Sequence, residues 1–140
     1  MQFTERELTV AVDEVARSMH AATRPPWKRG ETADAWEALP RIEKYNRRAA
    51  VGESLIPSLL ALPERPTVGE RPTFSSEEYD AAAEAGSRAL LEQRSPGTWD
   101  TMPERKRRRV VKASAALLRA AVQAMPVRQD PDAPVVPDHL

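Results

Sequence analysis

Four stretches of this chain repeat apolar residues at helical spacing, and polar, proline-bearing segments separate them. After Thr4, the residues Leu8, Val12, Val15 and Met19 fall on one face at intervals of three and four, as an amphipathic helix requires. Glu7 stands three residues beyond Thr4, which makes a Thr-x-x-Glu capping box and fixes where the helix starts. The second stretch opens near Pro40, a residue suited to a first helical turn. It turns Ile42, Tyr45, Ala49, Leu55, Leu59 and Leu62 toward a core, with Pro57 as a kink or early stop. The third starts at Ser75 with Glu78 in the same capping relation, and its face is Tyr79, Ala83, Gly86 and Leu90. That face is small enough for another helix to come close. The fourth opens near Pro103, with Thr101 and Glu104 as a further capping box. It carries Val110, Val111, Ser114, Leu117, Leu118, Ala121, Val122 and Met125 inward.

The four stretches form two similar halves. FTERELTVAVDEVARSMH from Phe3 aligns with FSSEEYDAAAEAGSRALL from Phe74, and residues 35–63 align without a gap on 98–126. Trp36 then falls on Trp99, Pro40 on Pro103, Leu55 on Leu118 and Pro63 on Pro126. Ordered matches of Phe, Trp and Pro point to an internal duplication. The expected fold is therefore all-α: two pseudo-symmetric helix-hairpin repeats packed as a four-helix domain, since neither hairpin buries its apolar stripe alone. Helices of this size each span roughly 27–33 Å. The expected layout is one helical domain over 1–125, with repeat one at 3–63, a stiff polar link at 64–73 and repeat two at 74–126. An extended or disordered proline-rich tail follows at 127–140.

Composition narrows the function. A chain of 140 residues suits one domain and one core. Lysine plus arginine and aspartate plus glutamate are each 21, and this balance argues against a general electrostatic grip on nucleic acid or an anionic membrane. There is no cysteine, which excludes thiol catalysis, disulfides and thiolate metal sites, and two histidines do not suggest a histidine-rich metal centre. No apolar run approaches a membrane span, and MQFTERELTV lacks a secretory pattern, so the expected location is cytoplasmic. No phosphate-cradling, zinc-protease or nucleophile-elbow motif occurs. Glu7, Glu78 and Glu104 read as helix caps rather than as acids or bases. No catalytic residue, metal or cofactor is expected.

The remaining candidates are aromatic and basic. Trp27, Trp36 and Trp99 lie in connectors or at helix entrances. Such a ring either plugs the end of a hairpin or stacks on a ligand. The plug suits the repeated Trp36 and Trp99, whereas Trp27, among Arg24, Lys28 and Arg29, fits either role. Five consecutive bases, Arg105 to Arg109, open the fourth stretch, and Lys44, Arg47 and Arg48 answer them in the second. On a helix such a run covers every direction, so it is either a solvated patch or an anion site near the hairpin loops. His20 at the end of the first helix reads as a capping or packing residue.

The order His20, Arg24, Trp27, Gly30 and then LPRIEKYNRRAA from Leu39 resembles the ryanodine-receptor (RyR) repeat domain, in its prokaryotic or phage form. That family has a histidine-bearing helix, a Pro-Pro-Trp or Gly-Trp loop and a Leu-Pro-x-x-x-Lys-x-x-Arg helix entrance. PPWKRGE and LPRIEKYNR stand in those places, and TWDTMPERKRR resembles the same entrance in the second half. The resemblance covers most of 4–62 and, more weakly, 75–125. The family's lysine-histidine-proline segment is absent and its long loop is shortened. The resemblance implies a non-enzymatic module of paired repeats that senses nucleotide-type ligands, with Arg24, Trp27, Lys44, Tyr45 and Arg47 at matching positions. Trp36 and Arg108 join that set as further stacking and charge-pairing groups. The expected function is thus a binding module for a small anionic, nucleotide-like ligand. The alternative is a protein-protein interaction adaptor or assembly subunit, with a protein partner or self-association and no small-molecule site.

Overall fold

A computed structural model describes residues 1–23, 27, 32–65 and 68–128. Arg24, Lys28, Arg29, Gly30 and the segment 129–140 lie outside the described residues. The described chain is helical: α1 Glu5–Ala22, α2 Thr32–Glu37, α3 Arg41–Ala61, α4 Ser76–Arg94, α5 Thr98–Thr101 and α6 Glu104–Ala124. The four long helices are those the apolar spacing predicts. The two short ones, α2 and α5, are additional, and each carries one of the repeated tryptophans.

Local chemistry explains the helix starts. Thr4 Oγ accepts the Glu7 amide and Glu7 Oε1 accepts the Thr4 amide, at 3.1 and 2.9 Å. Ser75 and Glu78 make the same reciprocal pair at the same distances. Both expected capping boxes therefore form. The third does not. Pro103 takes the N-cap of α6 with no side-chain cap, and Glu104 becomes the first helical residue, where it pairs with Arg108. The Thr101 hydroxyl instead bonds back to the carbonyls of Gly97 and Thr98. Pro40 precedes α3 in nearly the same conformation as Pro103, with φ −55 and ψ 147 against −58 and 143. Both long helices end alike: Leu62 donates to the Leu59 carbonyl and Met125 to that of Val122. Pro57 does not end α3, which runs on to Ala61 despite the donor this proline lacks.

α3 lies along α4, α4 along α6, and α1 packs on both α3 and α6. The shared core holds Ala11, Val15 and Ala16 from α1, Leu55 and Leu59 from α3, Ala82 and Ala83 from α4, and Leu118, Ala121 and Val122 from α6. α3 and α4 meet closely at Gly86. A Cβ there would stand 2.1 Å from Ser58 Oγ and 2.6 Å from the Ser58 backbone nitrogen. The small face of α4 thus does admit a neighbouring helix. Three residues expected in the core are not there: Ile42, Tyr45 and Ala49 on the first turns of α3 are exposed. Met19 is also exposed, and α1 buries Glu7, Ala11, Val15, Ala16 and His20.

Two arginines tie the segments together. Arg65, just beyond α3, pairs with Glu78 and lies over the Phe74 ring, 5.5 Å from its centroid. Arg128, just beyond α6, pairs with Glu7 at 3.0 Å and lies over the Phe3 ring at 5.8 Å.

Candidate functional site

The end of the molecule near α2 is organised around Trp36, which is only 1% exposed. Arg17 from α1 and Arg48 from α3 lie over its ring at 5.7 and 5.6 Å from the centroid, and the His20 ring packs on it at 5.9 Å. Asp13 holds both arginines: Arg17 Nε donates to one carboxylate oxygen at 2.8 Å, and Arg48 donates to the other at 2.6 and 2.8 Å. Burial by itself pushes the Asp13 carboxyl up, but these guanidinium hydrogen bonds outweigh it and hold the group below its ordinary value. Glu37 then bridges Arg17 at 3.2 Å and Lys44 at 3.5 Å, and the Glu37 carbonyl accepts Lys44 Nζ. Acid and base are thus matched around the ring. So covered, Trp36 offers no face on which a ligand could stack.

Two open grooves flank this framework. The first, about 710 Å³, runs between α1 and α3. Its walls are mostly apolar, from Leu8, Val12, Tyr45, Ala49, Ile56 and Pro57, and Gly52 leaves its floor shallow. The second, about 920 Å³, runs between α4 and α6 beside α5. Arg107, Arg108, Lys112 and Arg119 line its α6 wall, Asp80 and Glu84 its α4 wall, and Val111 and Ala115 its floor. Trp99 also borders it but is only 3% exposed. Glu92 fixes α5 there by accepting the amides of Gly97 and Trp99 at 2.8 and 3.0 Å, and these two bonds keep its carboxyl below the usual range. Gly97, with φ 85, makes the left-handed turn into α5.

The cations of the second groove are not all engaged. Arg108 pairs with Glu104 at 2.7 Å, and Arg119 donates to Ser76 Oγ and lies over Tyr79. Half-buried Arg107 and exposed Lys112 have neither an ion pair nor a hydrogen bond among the described residues.

The residues singled out by the sequence do not meet in one place. Lys44 is spent on Glu37 beside buried Trp36, Tyr45 is 66% exposed on the apolar groove, and Arg47 is exposed. Trp27 is 81% exposed, Arg108 lies on the far groove, and Arg24 is outside the described residues. Sequence reading passed over Asp13, Arg17 and Glu37. The Asp13 and Arg17 spacing of four is a legible helix pair, whereas Arg48 reaches them only through the tertiary fold. Lys112 and Arg119 escaped notice because they stand apart from the five-residue basic run. Among the described residues no cluster of three or more His, Asp or Glu is placed to hold a metal, and no helix is long and apolar enough to cross a membrane. Comparison with protein-family models, curated proteins and solved structures gives no match to this chain.

Proposed function

We propose that this chain is a non-enzymatic binding module for a small anionic, nucleotide-like ligand, and that the ligand sits in the groove between α4 and α6. The observation that carries this reading is Arg107, half-buried on the groove wall and unpaired, with Lys112 beside it. Removing a guanidinium partly from water without a partner is costly, and a ligand phosphate is the natural partner for its forked donors. The opposite wall bears Asp80 and Glu84, which repel a simple anion but accept the hydroxyl and amine donors of a nucleoside. A volume of about 920 Å³ is in the range of small-molecule pockets. The corresponding cations of the first half are neutralised by Asp13 and Glu37, so the second half is the better seat.

The same reading includes a duplicated architecture of the RyR-repeat kind. Its support is the recurrence of features at aligned positions: two capping boxes, two buried tryptophans on short helices, two proline-led helices of 21 residues, and two arginine ties to a Glu and a Phe. The ion pairs Arg17–Glu37 and Arg88–Asp100 also align, at 3.2 and 4.0 Å.

Calorimetry with a panel of nucleotides on the full chain tests the proposal. Binding should occur for at least one member and weaken about tenfold or more in Arg107→Glu, the scale of a lost charged hydrogen bond. Arg47→Glu should leave it unchanged. Folded protein that binds nothing across the panel removes this reading.

The alternative, an interaction module, draws on a different observation: the apolar groove between α1 and α3 is bordered by the exposed side chains of Ile42 and Tyr45.

A further inference from the structure

The α1–α3 groove presents Leu8, Val12, Tyr45, Ala49, Ile56 and Pro57 to solvent, and the described chain ends close to one mouth of it. Arg128, the last described residue, donates to the Glu7 carboxylate and to the Gln2 carbonyl, at 3.0 Å each. Glu7 immediately precedes Leu8. Because Gly52 on α3 would place a Cβ 3.9 Å from Val12 and 3.7 Å from Ile56, these helices run antiparallel, with Leu8 near Pro57 and Tyr45 toward the far end. The groove from Pro57 to Tyr45 is thus about 18 Å long at the helical rise.

The residues beyond Arg128 have the right length and chemistry to fill it. Residues 129–140 read QDPDAPVVPDHL, with Pro131, Pro134 and Pro137 three apart and Leu140 in the same register. A polyproline helix repeats every three residues, so these four would line one apolar edge. At about 3.1 Å per residue, twelve residues reach roughly 37 Å, enough to turn past Leu8 and cover the whole groove. Grooves that receive such segments combine apolar walls with an aromatic ring, and Tyr45 is that ring here. Charge agrees as well: Asp130, Asp132 and Asp138 would face the helix end that bears Arg41, Lys44, Arg47 and Arg48.

We propose that the α1–α3 groove is the seat of the chain's own C-terminal segment, residues 129–140, held in an extended polyproline conformation with Tyr45 as its aromatic contact. The proposal is independent of the nucleotide reading, which concerns the other groove. It makes the tail an intramolecular ligand that any protein partner for this face must displace.

The chain has no cysteine, so His139→Cys in the full-length protein gives a single attachment point for a nitroxide. The methyl signals of Val12 and Ile56 should then disappear, while those of Val111 in the opposite groove persist. The loss should survive dilution with an excess of unlabelled chain. It should be reversed by Tyr45→Ala, a change at an exposed position that leaves the core intact. Three outcomes overturn the proposal: retention of the Val12 and Ile56 signals, equal loss at Val111, or a loss abolished by dilution, which would mean that the tail docks on a second copy.

Discussion

The two grooves occupy aligned positions in the chain and differ in nearly every residue that faces solvent. Thr9, Tyr45, Ala49 and Ile56 on the α1–α3 side stand where Asp80, Arg108, Lys112 and Arg119 stand on the α4–α6 side. The residues behind them hardly change. Trp36 and Trp99 are both buried, Leu55 and Leu118 are both in the core, and Gly52 and Ala115 both keep the floor low. Capping boxes and buried tryptophans thus set the backbone, and the lining varies over it without disturbing the packing. One groove is apolar with its nearby cations already paired, while the other retains cations with none. A single framework presents two different surfaces.

The comparison breaks first, if it breaks, in the core. Leu55→Ala and Leu118→Ala should each cost about 2–5 kcal/mol and should agree with each other, because both side chains are nearly or fully buried at aligned positions. Chemical denaturation of the two variants measures this, and a large disparity would mean that the halves do not share one core. The next effect separates the halves. Gly86→Ala drives a methyl group into the Ser58 backbone and should cost about 1–3 kcal/mol, with loss of α3–α4 packing visible in near-ultraviolet dichroism of the aromatic residues. The aligned position on α1 is Val15, which is buried opposite α6 without such a clash, so the close approach belongs to the α3–α4 contact alone.

The smallest effect sharpens the comparison through pH. Burial alone raises the Glu7 carboxyl, but the hydrogen bonds from Arg128 and Thr4 and the Arg128 charge prevail and lower it. A carboxyl depressed in the folded state contributes stability that is complete above its unfolded value, near 4.5, and is lost as pH falls through the folded value. Glu78 is lowered in the same direction, first by the Ser75 backbone and then by Arg65, but it is the more exposed of the two. Glu7→Gln should therefore flatten the acid limb of the stability curve more than Glu78→Gln, as thermal melts between pH 3 and 6 would record.

Much of this architecture was legible before any coordinates. The two capping boxes, the four long helices and the small face at Gly86 follow from residue type and spacing. The short helices α2 and α5, of six and four residues, are below the length at which periodicity speaks, so Trp36 and Trp99 read as connector residues. Ile42, Tyr45 and Ala49 have true helical spacing, yet that spacing cannot distinguish a core from an open groove. The Thr101 and Glu104 motif failed because Pro103 claims the N-cap, which places Glu104 at the first helical position instead of the third. The candidate site was the least legible part. The pairing of Arg17, Arg48 and Lys44 with Asp13 and Glu37 needs three helices to converge, and only that convergence tells which cations remain available.

The arginine ties also bear on chain connectivity. Arg128 does at the meeting of the two chain ends what Arg65 does across the link, each clasping a Glu and a Phe at the start of a capping-box helix. The order of the segments is therefore dispensable in principle. A circularly permuted chain that opens between residues 65 and 68 and joins residue 140 to Met1 keeps every packed helix, with the former tail becoming an internal connector.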